Sequence, residues 1–257
     1  MGQYNFDQIL DRTHTKSLKY DFAVKRGKPA DVLPFWVADM DFEIPPELKQ
    51  ILLDRVNHGV FGYTESDDEY FDVLQNWFST RFNWIPEQKW LVKTPGIVFA
   101  LAMAVRAFTK EGEGVLINQP VYYPFSMVID DNNRHLINVP LIKGEERYTI
   151  DFEGIERAIV EENVTLFLLC NPHNPVGRVW TEDELKRLGD ICIKHNVLIV
   201  SDEIHADFVW KGHTHKVFAA LGESYAEHCI VCTAPSKTFN IAGLQVSNIF
   251  IPNDSLR

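Results

Sequence analysis

An α/β fold, a mostly parallel sheet covered by helices on both faces, is predicted by three features of the sequence. Short apolar runs such as Val115–Asn118, Val164–Cys170 and Val197–Asp202 alternate with stretches of helical periodicity. The runs are apolar at nearly every position, which suits strands buried on both faces. Helix-start signals fall between them, so consecutive strands are joined by crossovers rather than tight hairpins.

The elements follow in order. Up to Pro46 the chain is irregular and aromatic, broken by Pro29, Pro34, Pro45 and Pro46, and reads as an arm. Pro45-Pro46-Glu47 opens a helix through Asn57, since proline and an acid both suit a first turn. Ser66 with Glu69 forms a capping box, predicting a helix from Asp67 to Arg81. Thr94-Pro95-Gly96 opens an apolar helix through Phe108. A strand at Val115–Asn118, a helix at Tyr123–Asp131 and a strand at His135–Leu141 come next. Asp151 caps a helix to Glu161, Val164–Cys170 is a buried strand, and Thr181 with Glu184 caps a helix to His195. Strands at Val197–Asp202, Cys229–Thr233 and Asn248–Ile251 complete the pattern.

Composition narrows the function classes. The 257 residues carry 25 Lys+Arg against 36 Asp+Glu, a formal net charge of −11, which argues against a nucleic-acid backbone as partner. Apolar runs such as Val164–Cys170 are too short to cross a bilayer, and Met1-Gly2-Gln3-Tyr4-Asn5-Phe6 has neither a signal-peptide core nor a myristoylation pattern. Four cysteines (Cys170, Cys192, Cys229, Cys232) are too few for a disulfide scaffold, so a cytoplasmic protein is expected. Two glycosylation sequons, at Asn163 and Asn253, are set aside for want of a secretory route.

Ligands of parallel sheets collect at the carboxyl ends of the strands. Four such ends carry polar groups: Asn118–Pro124 with Tyr122, Asn171–Gly177 with Asn174, Ser201–His205 with Asp202, and Ala234–Asn240 with Lys237. Singly, each has an ordinary explanation in packing, turn formation, helix capping or solvation. Their shared sheet edge makes a joint binding crevice the better reading.

Asn-Pro-His-Asn-Pro-Val-Gly (171–177), Ser-Asp-Glu-Ile-His (201–205) and Ser-Lys-Thr-Phe-Asn-Ile-Ala-Gly-Leu (236–244), in this order and spacing, resemble the class I/II aminotransferase superfamily of pyridoxal-phosphate enzymes, fold type I. The arm sequence Pro-Phe-Trp-Val-Ala-Asp-Met-Asp-Phe (34–42) is similar to the MalY/PatB-type cystathionine β-lyases (cysteine-S-conjugate β-lyases). The resemblance implies that Lys237 holds pyridoxal 5'-phosphate and acts as the base at the substrate Cα. It implies that Asp202 keeps the pyridine nitrogen protonated, making the ring an electron sink. Asn174 would donate to the phenolic oxygen, Tyr122 would stack on the ring, and His205 would lie beside it. Gly96, Ile97 and Val98, opening a helix, and Ser236 would hold the phosphate. Tyr63 would reach the phosphate of a neighbouring subunit, implying a homodimer with shared sites. Trp36, Ala38 and Asp39 would line the substrate side.

The implied reaction is cleavage of L-cystathionine or a related S-conjugate to a thiol, pyruvate and ammonia. A transaminase and a cofactor-binding protein with little activity remain open. His205 and Gln245 stand where many transaminases carry Tyr and Arg, which points away from an aspartate-type transaminase. The expected division is an arm, 1–46, belonging to a small domain, and a cofactor-binding large domain, 47–257, incomplete at its end. Members of the family continue into a C-terminal small domain with a substrate-gripping arginine, so weak turnover is expected of these 257 residues.

Other motifs carry no chemistry. Cys229-Ile230-Val231-Cys232 falls in a strand, where a separation of three sends the thiols to opposite faces. His213-Thr214-His215 and the pair Asp202/His205 have too few partners at a telling spacing to predict a metal site. The glycines at 96, 112, 114 and 177 match no nucleotide-binding fingerprint.

Overall fold

The structure, a computed structural model, describes residues 4–257; Met1, Gly2 and Gln3, where the N-terminal targeting pattern was sought, lie outside the described residues. Two compact units are distinguished: Met1–Thr64 with Pro235–Leu244, and Glu65–Ala234 with Gln245–Arg257.

The first unit has little regular structure. Its one α-helix among the described residues, α1 (Pro46–His58), starts with proline in the first turn and stops at Gly59 in the left-handed region. Charge organises the arm before it. Arg12 bridges Asp39 (2.8 Å) and Asp41 (2.7 Å), and the buried Lys19 reaches Asp41 at 2.8 Å. Lys19 and Arg12 outweigh the burial of Asp41 and hold its carboxyl below the usual range.

The second unit runs α2 (Asp68–Phe82), β1 (Leu91–Thr94), α3 (Ile97–Phe108), β2 (Gly114–Ile117), α4 (Pro124–Asp130) and β3 (His135–Asn138). It continues with β4 (Ile142–Lys143), β5 (Tyr148–Thr149), α5 (Phe152–Glu161), β6 (Val164–Cys170), α6 (Glu182–Lys194) and β7 (Leu198–Asp202), then α7 (Glu223–Ala226), β8 (Cys229–Thr233) and β9 (Ser247–Phe250). The main sheet has the order β1-β9-β8-β7-β6-β2-β3. Neighbours from β8 through β3 are parallel, and β9 alone runs antiparallel to both β8 and β1. The expected mostly parallel sheet is therefore present.

Two apolar layers cover its faces. One collects Phe71 and Phe78 of α2, Ile155 of α5 and Leu185 and Leu188 of α6; the other collects Leu101 and Val105 of α3 with Phe125 and Ile129 of α4. Strand residues alternate between them: Phe167 and Leu169 face the first layer, Leu166, Leu168 and Cys170 the second. Cys229 and Cys232 fall in opposite layers, as their spacing requires, and burial pushes both thiols well up.

Caps at Asp151 and Thr181 form as expected, the latter a complete capping box with Glu184. The cap of α2 differs: Asp67, not Ser66, accepts the Tyr70 N–H, while the Ser66 hydroxyl accepts from Lys93 Nζ. A carboxylate so placed also meets the positive end of the helix, which a hydroxyl does not. The strand expected at His135–Leu141 stops at Asn138, and β1 and the β4–β5 hairpin were not expected. These strands have only two to four residues, too short for periodicity to mark them.

Candidate active site

Parallel pairing puts the carboxyl ends of β2, β6, β7 and β8 on one edge of the second unit. Cys170 pairs in register with Asp202, and Asp202 with Cys232. Cross-bonds just beyond the last paired residues stiffen that edge: Asn171 N–H donates to Asp202 O (2.9 Å), and Glu203 N–H to Cys232 O (2.8 Å).

Asp202 ends β7 with 5% of its surface exposed, and its carboxylate accepts the Ile204 N–H at 3.1 Å. A carboxylate this buried needs cationic or hydrogen-bonding company. His205 follows in a turn, half-buried, its ring edge-on to Phe208. Behind Asp202, the fully buried Glu203 accepts from His215 Nε2 (2.8 Å), Ser201 Oγ (2.9 Å) and Phe218 N–H (2.9 Å). Sequence reading missed this group. His215 lies in a loop with no acidic partner at a telling spacing, and the chain folds back over twelve residues to seat it on Glu203. Among the described residues no group of three or more side chains could hold a metal ion.

Asn174 lies in the loop after β6. Its N–H donates to Cys170 Sγ at 3.3 Å, and that thiol points on to Pro172 O. His173, buried, joins this loop to the one carrying Tyr122 by donating from Nε2 to Pro120 O at 2.9 Å. Burial pulls the His173 imidazole below its ordinary value despite nearby carbonyls. Trp180 donates its indole N–H to Cys170 O at 3.0 Å and closes the loop from behind. Tyr122 sits at the rim; desolvation first, then Tyr123 and the Asp202 carboxylate, hold its phenol above the ordinary value.

Gly96 precedes α3 at φ 109, a conformation that disfavours any side chain. No side chain caps this helix, so the Ile97 and Val98 N–H groups are open to an anion. Gly96 differs from the expectation: its own N–H is taken by Ser247 Oγ at 3.0 Å, which also bonds Thr94. Its part is to free the space above the helix, since nothing lies within 4 Å of where a Cβ would be.

The remaining expected residues belong to the first unit. Ser236 is buried and Lys237 half-buried, in a turn closed by Phe239 N–H to Pro235 O and Ile241 N–H to Ser236 O, each 3.0 Å. Tyr63 is fully exposed. Ala38 is exposed, the Trp36 ring lies near Arg26, and Asp39 is paired with Arg12, so its charge is already met within the arm.

Comparison with known proteins places these residues in context. The family model described as aminotransferase class I and II matches residues 30–257. Cystathionine beta-lyase PatB of Bacillus subtilis is 45% identical over 97% of this chain and 64% of its own length. Protein MalY of Escherichia coli is 34% identical over 99% of this chain and 65% of its own. The crystal structure of cystalysin from Treponema denticola, which contains pyridoxal 5'-phosphate, superposes with a TM-score of 0.93 at 42% identity, covering 98% of this chain and 65% of that one. The chain thus spans somewhat under two thirds of the length of these relatives.

Proposed function

This chain belongs to the class I and II aminotransferase family, and from that premise we propose that it serves a pyridoxal-phosphate-dependent carbon–sulfur β-lyase. The substrate is L-cystathionine or a related cysteine S-conjugate, the products a thiol, pyruvate and ammonia. The observation that supports this best is the buried Asp202 carboxylate at the end of β7, on the same sheet edge as the Asn174 and Tyr122 loops. PatB, the 45% identical relative, carries the name of that activity.

The residues fit the cofactor by their donor set. A buried carboxylate suits a protonated ring nitrogen, and an uncapped helix start behind a glycine suits a phosphate. When bound, the cofactor supplies an electron sink that stabilises negative charge at the substrate Cα. Asp202 would hold the proton on the ring nitrogen. The Asn174 amide, whose backbone is fixed by Cys170, would donate to the phenolic oxygen. The Ile97 and Val98 N–H groups and the Ser236 hydroxyl would bind the phosphate, and Tyr122 and His205 would contact the ring. Lys237 would anchor the cofactor and would be the base that takes the Cα proton. Trp36, Ala38 and Asp39 would line the substrate side.

A homodimer fits the exposure of Tyr63, which then reaches the partner's phosphate. In the same reading the arm, residues 1–46, contributes to a small domain, and 47–257 to the cofactor-binding domain. A cytoplasmic location accords with the four free, buried thiols.

Incubation with pyridoxal 5'-phosphate, borohydride reduction and peptide mass spectrometry should place the label on Lys237, and Lys237→Ala should abolish it. Pyruvate released from cystathionine without an added ketoacid marks a lyase; amino-group transfer to a ketoacid without pyruvate would replace this reading with a transaminase.

A further inference from the structure

We propose that Asn240 is a positioning residue for Lys237, clamping the lysine-bearing turn onto the arm segment Met40–Phe42. Three hydrogen bonds make the clamp. Asn240 Oδ1 accepts the Met40 N–H, and Asn240 Nδ2 donates to Met40 O and to Phe42 O, each at 3.0 Å. The amide so uses its acceptor and both donor hydrogens, a match that neither Asp nor Leu reproduces.

The backbone also selects this residue. Asn240 has φ 57, in the left-handed region that Asn tolerates better than other residues with side chains. It closes the turn that begins at Pro235 and contains Lys237 three residues earlier. The turn's own bonds, Phe239 N–H to Pro235 O and Ile241 N–H to Ser236 O, fix its shape but not its place. The arm lies about 200 residues away in sequence and is itself held by Arg12 and Lys19 on Asp39 and Asp41. The clamp therefore ties the amine to the segment that carries Trp36, Ala38 and Asp39. A flexible lysine loses reactivity when its stem has more orientations to sample, because productive geometry is then rarer.

This rests on the reading of Lys237 as the cofactor lysine, and two measurements separate the two ideas. Asn240→Gly keeps the left-handed backbone and deletes all three bonds; Asn240→Asp keeps the acceptor for Met40 N–H and loses both donated bonds. The first measurement is amide hydrogen exchange at Met40 in the 257-residue chain without cofactor. Exchange should rise about tenfold in Asn240→Gly, as for loss of one hydrogen bond, and also rise in Asn240→Asp, whose second carboxylate oxygen faces the Met40 and Phe42 carbonyls. The second is the rate at which pyridoxal 5'-phosphate with borohydride labels Lys237, normalised to the exposed lysines of the same chain. It should fall several-fold in both variants while the normalising lysines are unchanged, which a general loss of stability would not produce.

Unchanged Met40 exchange in Asn240→Gly overturns the clamp. Lost protection with parental Lys237 labelling shows a purely structural contact and overturns the positioning role. Absence of Lys237 labelling in the parent chain refutes the cofactor reading instead, and Met40 exchange still decides the clamp. Should Asn240→Gly not fold, parental labelling in Asn240→Asp overturns the proposal.

Discussion

Replacing His215 by Leu tests whether the buried Glu203 cluster stabilises the end of β7. In the parent, Glu203 Oε2 accepts from His215 Nε2 at 2.8 Å with both side chains 1% exposed. Removing a hydrogen-bond donor from a buried carboxylate costs about 1–3 kcal/mol, more where the stranded group is charged. Oε1 keeps Ser201 Oγ and Phe218 N–H, both at 2.9 Å, so the carboxylate is only half stranded. A loss of about 3 kcal/mol, and not more, is therefore expected. With an m-value of about 3 kcal/mol per M this lowers the urea midpoint by about 1 M. The same substitution in a Glu203→Gln background should cost only about 1 kcal/mol, because a neutral amide strands less. Unfolding followed by tryptophan fluorescence and far-UV circular dichroism reads both midpoints. A single-variant shift below about 0.2 M, or equal shifts in the two backgrounds, would refute the reasoning, since either requires that the pair contribute no coupling.

Three further outcomes follow from local geometry. Gly189→Ala should destabilise by about 1–3 kcal/mol in the same urea assay, because a Cβ there would lie 2.6 Å from the Tyr225 ring, itself tethered to Asp190. The four cysteines, all buried with raised pKa values, should react with a thiol reagent only after unfolding; rapid labelling of the native chain would contradict their placement. Lys186 and Lys216 depress Glu182 from 4.5 to about 2, so its contribution is complete above the unfolded value and is lost as pH falls through the folded one. The thermal midpoint should fall between about pH 4.5 and pH 2, and Glu182→Gln should flatten that fall; equal slopes would dismiss the contribution.

Local signals made much of this molecule legible in its sequence. The α5 cap at Asp151 and the α6 capping box at Thr181 and Glu184 are satisfied within three residues, so no distant contact can move them. Strands β6 and β8 begin and end where the apolar runs do, because burial on both faces demands apolar residues at every position. The same two-sided burial made the opposite facing of Cys229 and Cys232 predictable from spacing alone. Asp202, Asn174 and Tyr122 stand out as candidates in the sequence because parallel strands present their ends on one edge, and the topology is readable there.

What the sequence determined by itself, then, is the alternation of elements, their caps, the sheet's layered burial and the chemical identity of the strand-end residues. Tertiary structure alone decided who meets whom across long separations. Glu203 receives His215, Ser247 takes the Gly96 N–H, and Asn240 holds Met40 and Phe42. Arg12 neutralises Asp39. Each of these rests on hydrogen bonds or ion pairs made by polar side chains without periodicity, so nothing along the chain marks it in advance. Such contacts exist only once burial of the apolar layers and ordering of the arm have removed water as the competing partner.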